Sequence, residues 1–193
     1  ELYLMASPLD RIAERAVYKI NIKTGETSRV IDAAYKFQIE GDYLYYSTGK
    51  EVRRKSLKDG TETSLYNFFG SATGCVTDFA VLNGNLYLAD RNHFFILASG
   101  LDEESSSGEV RYTLACYDMA LRGDEGKQYL ICDISKNDLE KGTGSPWMRV
   151  YDEDGRMIME REGDIRLDSV SIEGDKICYY NNTTNQINVE KLR

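Results

Sequence analysis

Short runs of alternating apolar and polar residues, broken by glycine turns, recur along this chain. In Phe37-Gln38-Ile39-Glu40-Gly41-Asp42-Tyr43-Leu44-Tyr45-Tyr46 a period-two run meets a Gly-Asp pair and resumes as a tyrosine-rich run. Phe79-Ala80-Val81-Leu82-Asn83-Gly84-Asn85-Leu86-Tyr87-Leu88 and Val170-Ser171-Ile172-Glu173-Gly174-Asp175-Lys176-Ile177-Cys178-Tyr179 repeat it. Successive side chains of a strand point to opposite faces, so this period predicts strands. The central glycine supplies the positive φ of a tight hairpin turn. No long stretch carries apolar residues at helical spacing.

A fainter copy runs from Leu114-Ala115-Cys116-Tyr117 to Gly126-Lys127-Gln128-Tyr129-Leu130-Ile131, and Glu1-Leu2-Tyr3-Leu4 matches the second half of another. The turn glycines 41, 84, 126 and 174 are 43, 42 and 48 residues apart. With about four short strands per unit, this is the spacing of β-propeller blades. A second hairpin supports the count: Ile20 to Thr27, Ser56 to Thr63 and Val150 to Met157 each read as strand, polar-Gly turn and return strand.

Five units follow: 1–32 without its first strand, 33–70, 71–110, 111–163, and 164–193 without its last strand. In the third, the acidic, Ser-rich insertion 99–109 stands where an outer strand is expected, which predicts that this strand is missing. Assigning 110–118 and 127–133 to that unit instead leaves the next too few residues for its inner strands. A meander of this kind leaves edges and faces unpaired. The expectation is an all-β fragment of a larger propeller, six-bladed or more, whose open ends are covered by missing blades or a partner chain.

Gly84-Asn85-Leu86-Tyr87-Leu88-Ala89-Asp90 resembles the Leu-Tyr-Trp-Thr-Asp strand of low-density-lipoprotein-receptor-type propellers, with Leu86, Tyr87 and Asp90 matching. Gly41-Asp42-Tyr43-Leu44-Tyr45-Tyr46-Ser47 is similar to related blades of bacterial envelope proteins. In other units Ala6, Thr48 and Cys132 stand near the aspartate's place, so those units lack the residue that implies blade-linking bonds. The resemblance implies a bacterial binding module working outside the cell or in its envelope.

Composition narrows the partners. A formal charge of -8, a pI near 4.8 and the absence of a Lys/Arg cluster argue against nucleic acid and anionic membranes. No apolar run approaches the roughly 20 residues of a spanning helix, so no membrane insertion is expected. Cys75, Cys116, Cys132 and Cys178 form no C-x-x-C, and His93, the one histidine, completes no zinc set with them, so no metal or cofactor is assigned. If Arg122 to Gly126 closes a hairpin, residues whose numbers sum to 248 face each other, which sets Cys116 opposite Cys132. A cross-strand disulfide is one outcome. Two packed thiols are the favoured one, because directly opposed pairs strain the bond.

No catalytic residue is assigned. His93 has no Gly-x-Ser-x-Gly partner turn. Asp78, Asp118 and Asp168 fall on or beside predicted innermost strands, where propeller glycosidases hold paired carboxylates, but the chain has 32 acidic residues. Asp152-Glu153-Asp154-Gly155 has calcium-loop composition and Arg122-Gly123-Asp124 spells an integrin-binding tripeptide; both read better as turns. Most of the 14 tyrosines alternate and fill the space between blades. Tyr66, Trp147 and Tyr180, near strand ends, are the candidate binding residues. Trp147 leads them, in the long loop after Gly142-Thr143-Gly144-Ser145-Pro146, with a place capping the blade core as the equal alternative.

The sequence thus reads as a non-catalytic binding or scaffolding propeller that recognises protein or glycan. The alternatives are a propeller glycosidase or lyase with channel-lining carboxylates, and a spacer between other domains. Convergence of inner-strand carboxylates within hydrogen-bonding reach in a pocket would overturn the non-catalytic reading, and carboxylates pointing apart into a solvated channel would fit it.

Overall fold

The computed structural model describes residues 1–7, 15–67, 75–89, 94–97, 109–112, 115–124, 126–138 and 143–192. They form five antiparallel meanders. The first sheet is β1 (Leu2–Ala6), β2 (Ala16–Ile20) and β3 (Thr27–Ile31). The second is β4 (Lys36–Glu40), β5 (Tyr43–Ser47), β6 (Glu51–Ser56) and β7 (Glu62–Asn67). The third is β8 (Asp78–Leu82), β9 (Asn85–Ala89), β10 (Phe94–Leu97) and β11 (Glu109–Tyr112). The fourth is β12 (Ala115–Asp124), β13 (Lys127–Asp138), β14 (Thr143–Tyr151) and β15 (Met157–Glu162), and the fifth is β16 (Ser171–Glu173), β17 (Lys176–Asn181) and β18 (Gln186–Lys191). A 3-10 turn, Leu167–Ser169, precedes β16.

The hairpins form where the glycines sit. Gly41, at φ +57, joins β4 to β5, and Asn83 and Gly84 are both left-handed between β8 and β9, as a type I′ turn requires. The second hairpin also recurs. Asn21 N–H donates to Glu26 O at 2.9 Å, Ser56 N–H to Thr61 O at 2.8 Å and Asp152 N–H to Arg156 O at 3.0 Å. The first residue of each also caps its turn: the Asp152 carboxylate accepts from the amides of Asp154 and Arg156 at 3.0 and 2.8 Å. The calcium-like composition around Asp152 is therefore that of a self-capped turn.

The third sheet departs from expectation. Its outer strand is present as β11, which pairs with β10 through Phe95↔Val110. The alternating run Glu109-Val110-Arg111-Tyr112 supplies this strand immediately after the insertion, within the stretch that the alternative assignment of 110–118 gave to this unit.

The chain divides into two compact units, Glu1–Val76 with the first two sheets and Thr77–Arg193 with the other three. In the first unit Val17, Ile31, Leu44 and Tyr46 form a core with Tyr3, Met5 and Phe37 against it. In the second unit the fourth sheet is apolar on both faces. Leu130, Cys132 and Ile134 pack with Ala80, Leu82 and Tyr87 of the third sheet, while Ile131, Met148 and Val150 pack with Ile172, Ile177 and Tyr179 of the fifth. Each such side chain contributes about 1.5–3 kcal/mol through burial, so the stacked faces carry most of the favourable energy.

The link from the fourth sheet to the fifth is tight. Gly163 sits at φ +132, and a Cβ there would run into the Asn181 carboxamide, which itself donates to Glu162 O and accepts from the amides of Thr183 and Thr184. Gly163→Ala is expected to lower the unfolding free energy by about 2–3 kcal/mol, against about 1 kcal/mol for Gly60→Ala, whose φ is +78 but whose surroundings are open. Urea unfolding of the two variants side by side checks the difference.

Candidate functional site

The inner-strand carboxylates have different surroundings. Asp78, 6% exposed at the start of β8, accepts from its neighbour Phe79 N–H at 2.8 Å and from Met119 N–H of β12 at 2.6 Å. It latches the third sheet to the fourth. Asp118 is exposed and accepts from the same Met119 N–H at 2.9 Å. Asp168 is exposed and paired with Arg166 at 2.7 Å. Two of the three thus meet at one backbone amide, and the third is held by its own arginine.

Asp133, which sequence reading did not single out, stands directly across from Asp118 on β13 and is half-buried. Burial, followed by the charges of Asp118 and Asp164, pushes its carboxyl up to about 6. It can hold a proton near neutrality, and Asp118 and Asp164 act on it through charge. Among the described residues no group of three or more His, Cys, Asp or Glu is arranged to hold a metal ion. His93 and Asp90 lie outside the described residues.

The β12–β13 hairpin corrects two expectations. The strands run on to Asp124↔Lys127, so paired numbers sum to 251, and a bulge between Cys116 and Asp118 then shifts the register to Cys116↔Ile134. Cys132 faces Met119 instead of Cys116. Both thiols are free and buried in the same core, Cys116 Sγ donating to Asp118 O at 3.6 Å, and burial pushes the Cys132 thiol up. The second correction concerns Arg122-Gly123-Asp124, which belongs to β12. The Arg122 guanidinium donates to Val170 O at 3.1 Å and Leu167 O at 3.0 Å, tying the fourth sheet to the connection that leads into the fifth. A Cβ at Gly123 would strike the Lys127 carbonyl. The tripeptide serves docking and hairpin closure.

The three aromatic candidates do not share a site. Tyr66, half-buried on β7, pairs with Val52 in the first unit. Trp147 lies in mid-strand on β14, between Ile134 and Glu162, instead of in a loop. Its indole N–H donates to Ser145 Oγ at 2.9 Å, and its ring packs on the core between the third and fourth sheets. Tyr180, on β17, bonds Asn185 through its hydroxyl and pairs with Ile187.

Tyr180 leads to a surface that sequence reading missed. The pairs Tyr180↔Ile187 and Cys178↔Val189 set four apolar side chains on one face of the fifth sheet. Ile187 is 74% and Val189 65% exposed. The other face, with Ile172, Ile177 and Tyr179, is the one packed on the fourth sheet. Tyr117, 63% exposed at the β12 bulge, is a second outward aromatic.

Stacked antiparallel meanders joined face to face define an all-β protein of the β-propeller class. Two solved structures align with nearly the whole chain. Hsv2 of Kluyveromyces lactis, a propeller-type fold, matches 98% of it at 13% identity and a TM-score of 0.57. The extracellular domain of a hybrid two-component system of B. thetaiotaomicron matches 96% at 13% identity and a TM-score of 0.50. The chain spans 58% of the first of these chains and 23% of the second. No family model matches the chain, and a search of curated sequences returns no significant match. No helix of the described residues is long and apolar enough to cross a membrane.

Two outcomes follow from the carboxylates. Because the folded Asp133 binds its proton more tightly than the unfolded chain does, its contribution to stability falls as pH rises from about 4 to about 6 and is level above that. Asp133→Asn should remove this slope and raise stability at pH 7.5 by the order of 1 kcal/mol after solvent screening. Unfolding at pH 4.5 and 7.5 measures it, and an unchanged slope would contradict the account. Asp78→Ala strips a buried acceptor from two amides and should cost about 2–4 kcal/mol in the same assay.

Proposed function

We propose that this chain is part of a non-catalytic β-propeller that binds another protein. The observation that carries the reading is the apolar face of the fifth sheet, where Ile187 and Val189 stand exposed beside Tyr180 and Cys178. Contiguous exposed apolar side chains rimmed by polar ones mark a surface that a further blade or a partner protein covers. Here Lys176 and Lys191 close one end of that face and Asn185 the other. Of the inner carboxylates, Asp78 is engaged as a latch and Asp168 by Arg166, which fits this reading, whereas Asp118 stands opposite Asp133 and belongs to the enzyme alternative. The resemblance of the Gly41–Ser47 run to blades of bacterial envelope proteins, beside that of the Leu86-Tyr87 strand to receptor-type propellers, supports a working place at the exterior or envelope of a bacterium.

Affinity capture from the source organism's own extract, wild type against Ile187→Lys, tests the reading. A protein retained by the wild type and lost from the variant is expected; identical retention by both overturns it. The enzyme alternative rests on Asp133, whose raised carboxyl suits a general acid. Hydrolysis of aryl glycosides that disappears in Asp133→Asn would establish catalysis in place of binding.

A further inference from the structure

The turn between β8 and β9 couples a reactive pair of residues to a contact between two sheets. Asn83 and Gly84 are its central residues, both exposed and both left-handed, at φ +50 and +73. Leu82 and Asn85 close the hairpin, so the Gly84 N–H stands outside the strand ladder. Glycine gives that nitrogen no side chain for cover, and no atom lies within 4 Å of the place where a Cβ would stand. This is the one Asn-Gly pair in the chain.

The Asn83 carboxamide reaches across to the fourth sheet. Its Nδ2 donates to Glu153 O, in the turn between β14 and β15, at 3.4 Å. The Glu153 carboxylate in turn accepts from Gln128 N–H at 3.1 Å. That turn is acidic, reading Asp152-Glu153-Asp154, and it packs closely on the third sheet: a Cβ on Gly155 would come 3.1 Å from the Tyr87 hydroxyl. Tyr87 is itself buried with Tyr151 of β14, their ring centroids 6.4 Å apart.

We propose that Asn83-Gly84 is a self-modification site, at which a neutral tie between the third and fourth sheets becomes a repulsive one. The Gly84 nitrogen attacks Asn83 Cγ. A bond forms between them, the Cγ–Nδ2 bond breaks, and the proton from Gly84 leaves with the amide nitrogen as ammonia. Water then opens the cyclic imide. Opening at the bond from nitrogen to Cγ leaves an ordinary aspartate at position 83, which the left-handed turn accepts. Opening at the main-chain carbonyl routes the chain through Cγ as isoaspartate, one atom too long for a two-residue turn. Both products exchange the donor facing Glu153 O for a negative charge beside the acidic turn. The type I′ turn keeps the Gly84 nitrogen turned away from Cγ, so the step passes through local opening of this hairpin.

Incubation of the 193-residue chain at mildly alkaline pH, followed by peptide mass mapping, tests the chemistry. Asn83 is expected to convert first, at least about tenfold faster than Asn85, which Leu86 follows and β9 holds. Hydrogen exchange in segments 82–89 and 150–157 reads the seam. Exchange there rises at least about twofold in the aged wild type and in fresh Asn83→Asp. Ageing leaves it unchanged in Asn83→Gly, which keeps a type I′ turn without the carboxamide. Adding Glu153→Gln to Asn83→Asp brings exchange back to that of Glu153→Gln alone. Conversion at Asn83 no faster than at Asn85 overturns the site. Exchange unmoved by conversion and by Asn83→Asp, or a rise that Glu153→Gln leaves in place, overturns the repulsion.

Discussion

A small sheet that is apolar on both faces has to be covered on both. A three- or four-stranded meander buries little by itself, and the residues that alternate along each strand here are apolar on either side in the fourth sheet. Every other feature of the second unit follows from that demand. Leu130 and Ile131 are neighbours in sequence yet belong to different cores, one shared with the third sheet and one with the fifth. Removing either flanking sheet would expose a continuous apolar face, so the unit is stabilised by its contacts between sheets more than by any sheet alone.

Three polar side chains tie these seams together through backbone groups. Asp78 bridges to Met119, Arg122 to Val170 and Leu167, and Asn181 ties Glu162 to the turn at Thr183. Each satisfies backbone groups that a purely apolar seam would leave without partners, and each sets the offset of one sheet against the next. Asp133 is a half-buried carboxyl with no ion pair among the described residues, and its raised proton affinity records the cost of that burial.

Where the turns fall was legible because Gly41, Gly84 and Gly174 meet a conformational requirement that few other residues meet. The β12–β13 register was not, since the extra residue at Tyr117 carries no mark in composition and each residue of β12 beyond the bulge pairs three positions further along β13 than counting suggested. Gly144 and Pro146 made Trp147 look like a loop residue. In the structure Pro146 sits inside β14, where its carbonyl accepts from Gly163 at 2.9 Å and its missing N–H does no harm. Ile187-Asn188-Val189 alternates apolar and polar residues, as a strand with two unlike faces does. Which face is covered depends on the position of the fourth sheet, and that lies beyond any local pattern.

The bulge at Tyr117 bears on how this chain can vary between generations. Along a regular strand, losing one residue swaps every side chain beyond it to the opposite face. In β12 the irregularity already holds the surplus position: Cys116 and Met119 point into the same core although three residues apart, and the ring between them is largely in solvent. Loss of the Tyr117 codon alone would leave Cys116, Asp118 and Met119 in ordinary alternation, with both core residues in place. This strand therefore contains one position at which a change of length is tolerated, surrounded by positions at which it is not.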